Sequence, residues 1–258
     1  MTSTVQTIVL QGIDLLVSRK GRGQPLLLLH GGGGPVFSCP FADALAQNFE
    51  VIEPIHPGFS GTQVPKTIDG VSDLAYLYLD LLDALDLKSV TLVGISLGGW
   101  VANEIAVRNL SRISRLVLVD AVGVKLGSRE ERDFPDVFAT DPREVERLMW
   151  HDMSFAPVNQ NLDDAGWQAV AQNFMALGVY AFDPYMHNPK LKGLLHRVTV
   201  PTLVLWGAQD RFAEPSYGEA YARLIPGSRF ELIDNAGHAP HVEQPVAVAQ
   251  HVLNFAAA

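Results

Sequence analysis

Apolar positions along this chain follow two alternating rhythms. Thr4–Leu10 and residues 13–19 alternate apolar and polar side chains around Gln11-Gly12, which predicts an opening antiparallel hairpin. Residues 25–29 (P-L-L-L-L) are then continuously apolar, as a strand covered on both faces must be. A short helix is predicted over residues 41–48 and a strand over 49–55. Residues 72–87 carry leucines at helical spacing (Leu74, Leu77, Leu81, Leu82, Leu85), with Ser72 placed to cap the helix. Residues 90–93 and 114–120 are two further buried runs. After Asp120 the rhythm breaks. From 124 to 195 no buried strand is evident; charges cluster at 129–133, helical runs occupy 142–151 and 166–177, and large apolar residues such as Phe138, Trp150, Trp167, Phe174 and Phe182 are scattered throughout. A strand over 200–207, a helix over 216–224, a strand over 228–233 and a last helix over 245–255 restore the earlier order, with Pro245 suited to a first helical turn.

Strands alternating with helices predict an α/β fold, a mostly parallel sheet with helices on both faces. Such sheets bind ligands beyond the carboxyl ends of their strands. The loop His30-Gly31-Gly32-Gly33-Gly34, Ser96, Asp120, Asp210 and His238 all follow predicted strands, so all fall on that one edge.

Residues 94–98 read G-I-S-L-G between an apolar strand and a helical run, the context of a nucleophile elbow. A serine hydroxyl is a weak nucleophile at neutral pH. It needs a base within hydrogen-bond reach, and the base needs a group to fix its tautomer. In elbow enzymes the chain order is serine, acid, histidine. Ser96, Asp210 (in W-G-A-Q-D-R-F) and His238 (in D-N-A-G-H) satisfy it. Asp120 is the alternative acid, Asp234 a third choice, and His241 a rival base three residues beyond His238. The oxyanion that forms needs donors: the Leu97 N–H directly after the nucleophile, and Gly32 or, second, Gly33 in the glycine loop. A phosphate-binding reading of that loop lacks the G-x-G-x-x-G spacing and the lysine it would need, and Pro35 interrupts it. Cys39 has no partner spacing and reads as a small buried hydrophobe. The remaining histidines show no zinc spacing, so neither metal nor cofactor is expected.

Composition narrows the partners. The 258 residues, 48% of them hydrophobic, suffice for one large domain with an insertion, and the net charge of −9 leaves no electrostatic footprint for nucleic acid or an anionic membrane. A single cysteine, no basic-apolar leader and no apolar run near membrane-spanning length together predict a cytoplasmic protein acting on a small molecule.

With H-G-G-G-G, P-G-F-S-G, G-I-S-L-G-G, W-G-A-Q-D and G-H in hand, the chain resembles the α/β-hydrolase superfamily over all but the middle segment. The resemblance implies eight strands, the second antiparallel, with residues 1–123 and 196–258 forming the core and 124–195 a helical cap inserted after strand 6. It is closest to carboxylesterases and to hydrolases of ring-cleavage products, which split a carbon–carbon bond beside a ketone. The latter usually carry a serine in the oxyanion loop and an asparagine before the nucleophile; here Gly32 or Gly33 and Ile95 stand there. Dehalogenases and epoxide hydrolases of this fold place an aspartate at the elbow, where this chain has Ser96. Three functions follow: hydrolysis of an apolar or aromatic ester, carbon–carbon hydrolysis of a dienoate, and ligand reception without catalysis.

Overall fold

Why the apolar runs are continuous becomes clear from the sheet they build. The computed structural model describes residues 4–35, 39–128, 130–157 and 161–257, without the Cys39 side chain. The readings of Cys39 as a buried hydrophobe and of Arg129 as the head of the charged run therefore lie outside the described residues. Strands β1 (Thr4–Leu10), β2 (Ile13–Gly21), β3 (Gln24–Leu29), β4 (Phe49–Pro54), β5 (Val90–Ile95), β6 (Ile113–Val119), β7 (Thr202–Gly207) and β8 (Arg229–Ile233) form one sheet. Their spatial order is β1-β2-β4-β3-β5-β6-β7-β8. β2 runs antiparallel to both β1 and β4, and every other pairing is parallel.

Helices α1 (Cys39–Leu45), α2 (Val71–Ala84), α3 (Leu97–Arg108), α4 (Pro142–Met149), α5 (Asp164–Ala181), α6 (Pro215–Ala222), α7 (Pro240–Glu243) and α8 (Pro245–Ala257) complete the fold. Successive strand residues point to opposite faces, so each apolar run feeds two cores. Leu27, Leu29, Leu92, Leu116, Leu118, Val204 and Trp206 pack on one face with α2, α3 and α6. Leu26, Leu28, Val93, Val117, Val119, Leu203 and Leu205 pack on the other with α1 and α8. An alternating sequence would have left one of these faces polar.

Most elements shift by a few residues from the sequence reading, and three differences have a visible cause. Ser72 does not cap α2; Gly70 does, and Asp73 turns back to accept the Asp69 N–H at 3.0 Å, while Ser72 Oγ accepts from Arg108. α5 starts earlier and ends later than residues 166–177, because the Asp163 carboxylate accepts the Gly166 N–H and so fixes the first turn. The segment expected at 124–195 is pinched before its end. Gly123 N–H donates to Met186 O and Asn188 N–H to Gly123 O, both at 3.0 Å, so the two legs meet at Gly123 and His187. Leu191 and Leu195 then pack fully buried into the main core.

Among the described residues no helix is long and apolar enough to cross a membrane. Leu28 is fully buried between β4 and β5 in the core under α1 and α8. Leu28→Ala is expected to lower the unfolding free energy by about 3 kcal/mol, read as a lower midpoint in urea denaturation at unchanged slope.

Candidate active site

The link from β5 to α3 is a turn so tight that α3 starts on the residue after the serine. Ser96 adopts φ 48° and ψ −112°, a conformation that L-residues rarely occupy. Gly98 makes the turn possible: a Cβ there would run into the carbonyl oxygens of Leu29 and His30 at the end of β3. At Gly94 a Cβ would strike the Gly98 carbonyl. Strand, turn and helix can therefore cross only if both positions are glycine.

Three residues far apart in sequence meet at this point. Ser96 Oγ lies 3.0 Å from His238 Nε2, and His238 Nδ1 lies 2.7 Å from Asp210 Oδ2. A carboxylate only accepts, so Nδ1 carries the proton and Nε2 is left to accept from the serine hydroxyl. Asp210 is itself held, its Oδ1 accepting the N–H groups of Phe212 and Ala213 at 2.8 and 2.9 Å. Phe212 sets its ring edge-on to the imidazole at 4.8 Å. Both Asp210 and His238 are buried, while Ser96 keeps partial exposure.

The rivals sit elsewhere. His241 is buried, and burial together with nearby His238 pushes its pKa down to about 3, so it stays neutral. Asp234 is exposed at the end of β8. Asp120 directly follows β6 beside Asp210; its Oδ1 accepts the Gly207 N–H at 2.9 Å, and burial and the Asp210 charge push its carboxyl well above the usual range. Asp120, Asp210 and His238 offer ligand atoms within 4.8 Å of one another, the one such group of potential metal ligands among the described residues. His238 Nδ1 and the Oδ2 of Asp210 already bond to each other, so these atoms are not open to an ion without breaking that bond.

The glycine loop passes directly over the serine. A Cβ on Gly31 would lie 3.3 Å from the Ser96 Cβ, and Gly34 N–H closes a turn onto Gly31 O at 3.0 Å, with Gly32 and Gly33 at its corner. Leu97 opens α3, so its N–H is one of the first four in a helix, which have no intrahelical acceptor. Beneath the loop lies a buried polar brace. His30 Nε2 accepts the His56 N–H at 2.9 Å, which leaves Nδ1–H to donate to Gly31 O at 2.8 Å. His56 Nε2–H donates to His30 O at 2.9 Å, and its Nδ1 accepts from the Tyr78 hydroxyl. Burial holds His30 near a pKa of about 4 and His56 well below its ordinary value, so both are neutral donors and acceptors.

Residues from the middle segment complete the site, and the sequence reading missed them. Asn173, buried on α5, donates from Nδ2 to Gly33 O and accepts the Ser60 N–H at Oδ1, both at 2.8 Å. It joins the glycine loop to the P-G-F-S-G loop. Leu177 packs against Gly32, and the Tyr180 hydroxyl donates to Pro57 O at 2.7 Å. Glu243 bridges the two sides of the histidine loop, accepting the Gly237 N–H at Oε2 and the Asp152 N–H at Oε1, each at 2.7 Å. His238 N–H donates to Met149 O at 2.6 Å. The one available signal was an asparagine sharing a helical face with Ala176, Leu177 and Tyr180.

The sheet order and the strained strand-to-helix serine define the class of α/β hydrolases. The chain belongs to the alpha/beta hydrolase family, whose sequence profile matches residues 26–251. It is 28% identical to a putative 2-succinyl-6-hydroxy-2,4-cyclohexadiene-1-carboxylate synthase of Bacillus subtilis, over 98% of both chains. It is 28% identical to the 2-hydroxymuconate semialdehyde hydrolase of Pseudomonas putida, over 92% of this chain and 89% of that one. Among solved structures, a thermophilic esterase from Thermogutta terrifontis superposes with a TM-score of 0.74 at 26% identity, covering 100% of this chain and 98% of the other.

Asn173→Ala leaves the Gly33 carbonyl and Ser60 amide without their partner, and is expected to lower the unfolding free energy by about 1–2 kcal/mol in urea denaturation. The buried histidines set a pH dependence. In the unfolded chain they bind protons near pH 6.5, whereas folded His30 and His241 resist protonation until about 4 and about 3. Their contribution is complete above the unfolded value and is lost as pH falls. The urea midpoint is expected to drop between pH 6.5 and about 5, above the range where unfolded carboxylates titrate; a flat or rising midpoint contradicts this.

Proposed function

We propose that the protein is a serine hydrolase that cleaves a small, uncharged, apolar or aromatic carboxylic ester through an acyl-enzyme. The observation that carries the reading is the unbroken hydrogen-bond chain from Ser96 through His238 to Asp210. Ser96 Oγ attacks the carbonyl carbon as His238 Nε2 takes its proton. The negative oxygen is received by the Leu97 N–H and by Gly32 or Gly33. His238 then protonates the departing alkoxide, the C–O bond breaks, and the acyl group stays on Ser96. Water, deprotonated by His238, attacks the acyl carbon and releases the acid and the free serine. Asp210 keeps the imidazole in its working tautomer and offsets its charge when protonated.

Residues 124–195 serve as the cap, with α5 as its working element. Asn173, Ala176, Leu177 and Tyr180 touch the loops around Ser96. Electrostatics of the cap favours an uncharged substrate. No lysine or arginine occurs from 148 to 189. Of the cations in the segment, Lys125 pairs with Asp133 at 3.1 Å, Arg132 with Asp136, and Arg147 with Glu144 at 3.1 Å. A carboxylate buried without a cation is strongly disfavoured.

Carbon–carbon hydrolysis of a ring-cleavage dienoate is the second reading, supported by the 28% identity to 2-hydroxymuconate semialdehyde hydrolase. Gly32 or Gly33 and Ile95 in place of the serine and asparagine of that branch, and the absence of lysine and arginine from 148 to 189 to pair a dienoate carboxyl, weigh against it. Chromogenic esters of graded acyl length, assayed beside a coloured dienoate, separate the two. The expected outcome is ester turnover with no bleaching of the dienoate; the reverse outcome selects the second reading. Ser96→Ala is expected to lower turnover by roughly a thousandfold or more at unchanged fold, and a fluorophosphonate probe is expected to label wild-type protein but not the variant. Full turnover by the variant removes the serine mechanism, and an unlabelled, inactive wild type leaves only ligand reception.

A further inference from the structure

Asp120 is a second carboxyl buried behind the histidine, and the hydrolytic steps above leave it without a role. It directly follows β6, in the left-handed region at φ 44°, where an aspartate is tolerated and most residues are not. Its backbone N–H donates to Leu205 O at 3.0 Å and its Oδ1 accepts the Gly207 N–H at 2.9 Å, so the residue is tied to β7 through both backbone and side chain. Its Oδ2 is fully buried and meets no donor among the described residues.

Three titratable groups face it. Asp210 comes from the loop after β7, His238 from the loop after β8, and Glu243 from α7 at longer range. All three are buried, and none brings a fixed positive charge. Two carboxylates this close in a low-dielectric site do not both ionise; one proton is held between them. The donors decide where it sits. Asp210 receives three N–H groups, from Phe212, Ala213 and the imidazole, whereas Asp120 receives one. The negative charge therefore settles on Asp210 and the proton on Asp120. The bare Oδ2 is the atom that carries it, and a carboxylate can still accept at Asp210 Oδ2 beside the imidazole.

We propose that Asp120 is a positioning residue which remains protonated and donates a hydrogen bond from Oδ2 to the Asp210 carboxylate, locking that acid against His238. A neutral Asp120 holds Asp210 in place without adding a second negative charge. An ionised Asp120 would favour the imidazolium over the neutral base that Ser96 needs. The inference rests on the Ser96–His238–Asp210 reading.

The test uses Asp120→Asn and Asp120→Ala in the full chain. Asparagine keeps the shape, the acceptor for Gly207 and a neutral donor toward Asp210; alanine keeps none of them. Asp120→Ala is expected to reduce kcat roughly a hundredfold with KM changed less than about threefold, and Asp120→Asn to recover all but about fivefold. The acid limb of the kcat/KM profile is expected to stay in place in Asp120→Asn, because no charge has been removed. Infrared difference spectra between wild type and Asp120→Asn at pH 7 are expected to show a protonated-carboxyl stretch that shifts in heavy water. An acid limb displaced downward by about one unit or more, a missing carboxyl band, or Asp120→Ala with wild-type kcat each overturns the proposal. So does an active Asp210→Asn paired with an inactive Asp120→Asn. The infrared band reads the proton on Asp120 whatever the substrate, and alone keeps the test decisive if Asp120→Ala fails to fold. Failure of the serine mechanism shows separately, as retained turnover in Ser96→Ala.

Discussion

A close approach of backbone to backbone, where the first turn of α3 crosses the end of β3, is the constraint from which the site follows. Gly98 sits against the carbonyls of Leu29 and His30, with no room for even a methyl group. That contact forces the serine into its strained backbone and also places the loop after β3 over the serine. Ser96 and the glycine loop are thus set by one packing event. Strain of this kind, of order 1–3 kcal/mol, persists only where the surroundings over-determine it. Here they do: β5 and α3 are almost wholly buried, with strands on both sides of β5 and the α2 and α6 faces around α3.

Buried polar groups then carry the geometry outward from the crossing. His30, His56 and Tyr78 form a closed set in which each ring nitrogen has one consistent role, and that set fixes the carbonyl of Gly31. On the other side Glu243 and the Met149 carbonyl hold the loop of His238. Neutral histidines suit the first task because a buried charge would have required a counter-ion. A carboxylate suits the second because two backbone N–H groups converge on it and satisfy it.

How much of this the sequence disclosed depends on the range of the interaction. The strands were legible because a sheet covered on both sides demands uninterrupted apolar runs, and β3, β5, β6 and β7 have them. Ser96, Asp210 and His238 were nameable because each follows a strand and their order is restricted. The braces were not. Asn173 bonds to residues 113 and 140 positions away, through backbone groups that carry no residue identity. Glu243 works the same way across 91 residues to Asp152. Ser72 misled because serine at the head of a leucine-rich helix has the right chemistry, yet its hydroxyl is taken by Arg108. The neck at Gly123 and His187 was invisible because two backbone hydrogen bonds define it, while the leucines beyond it look like more of the same segment.

The segment between β6 and β7 is built with two unlike faces, and that asymmetry bears on what the site admits. On α5, Asn173, Ala176 and Tyr180 turn inward and are buried, and Leu177 reaches the glycine loop. Trp167, Phe174, Met175 and Val179 on the same helix, with Phe182 just after it, stay exposed, Met175 at 73%. Phe138 gathers Phe174, Phe182 and Tyr185 around itself at ring separations of 5.2 to 6.2 Å. The inner side of α5 is joined to the main core by the packing of Ala176, Tyr180 and Ala181, by the two hydrogen bonds of Asn173 and by the one of Tyr180. Those bonds end on the same loops that flank the serine. The apolar cover and the glycine loop are therefore joined directly, Asn173 on α5 donating to Gly33 O, so a displacement of the helix would act on that loop as well.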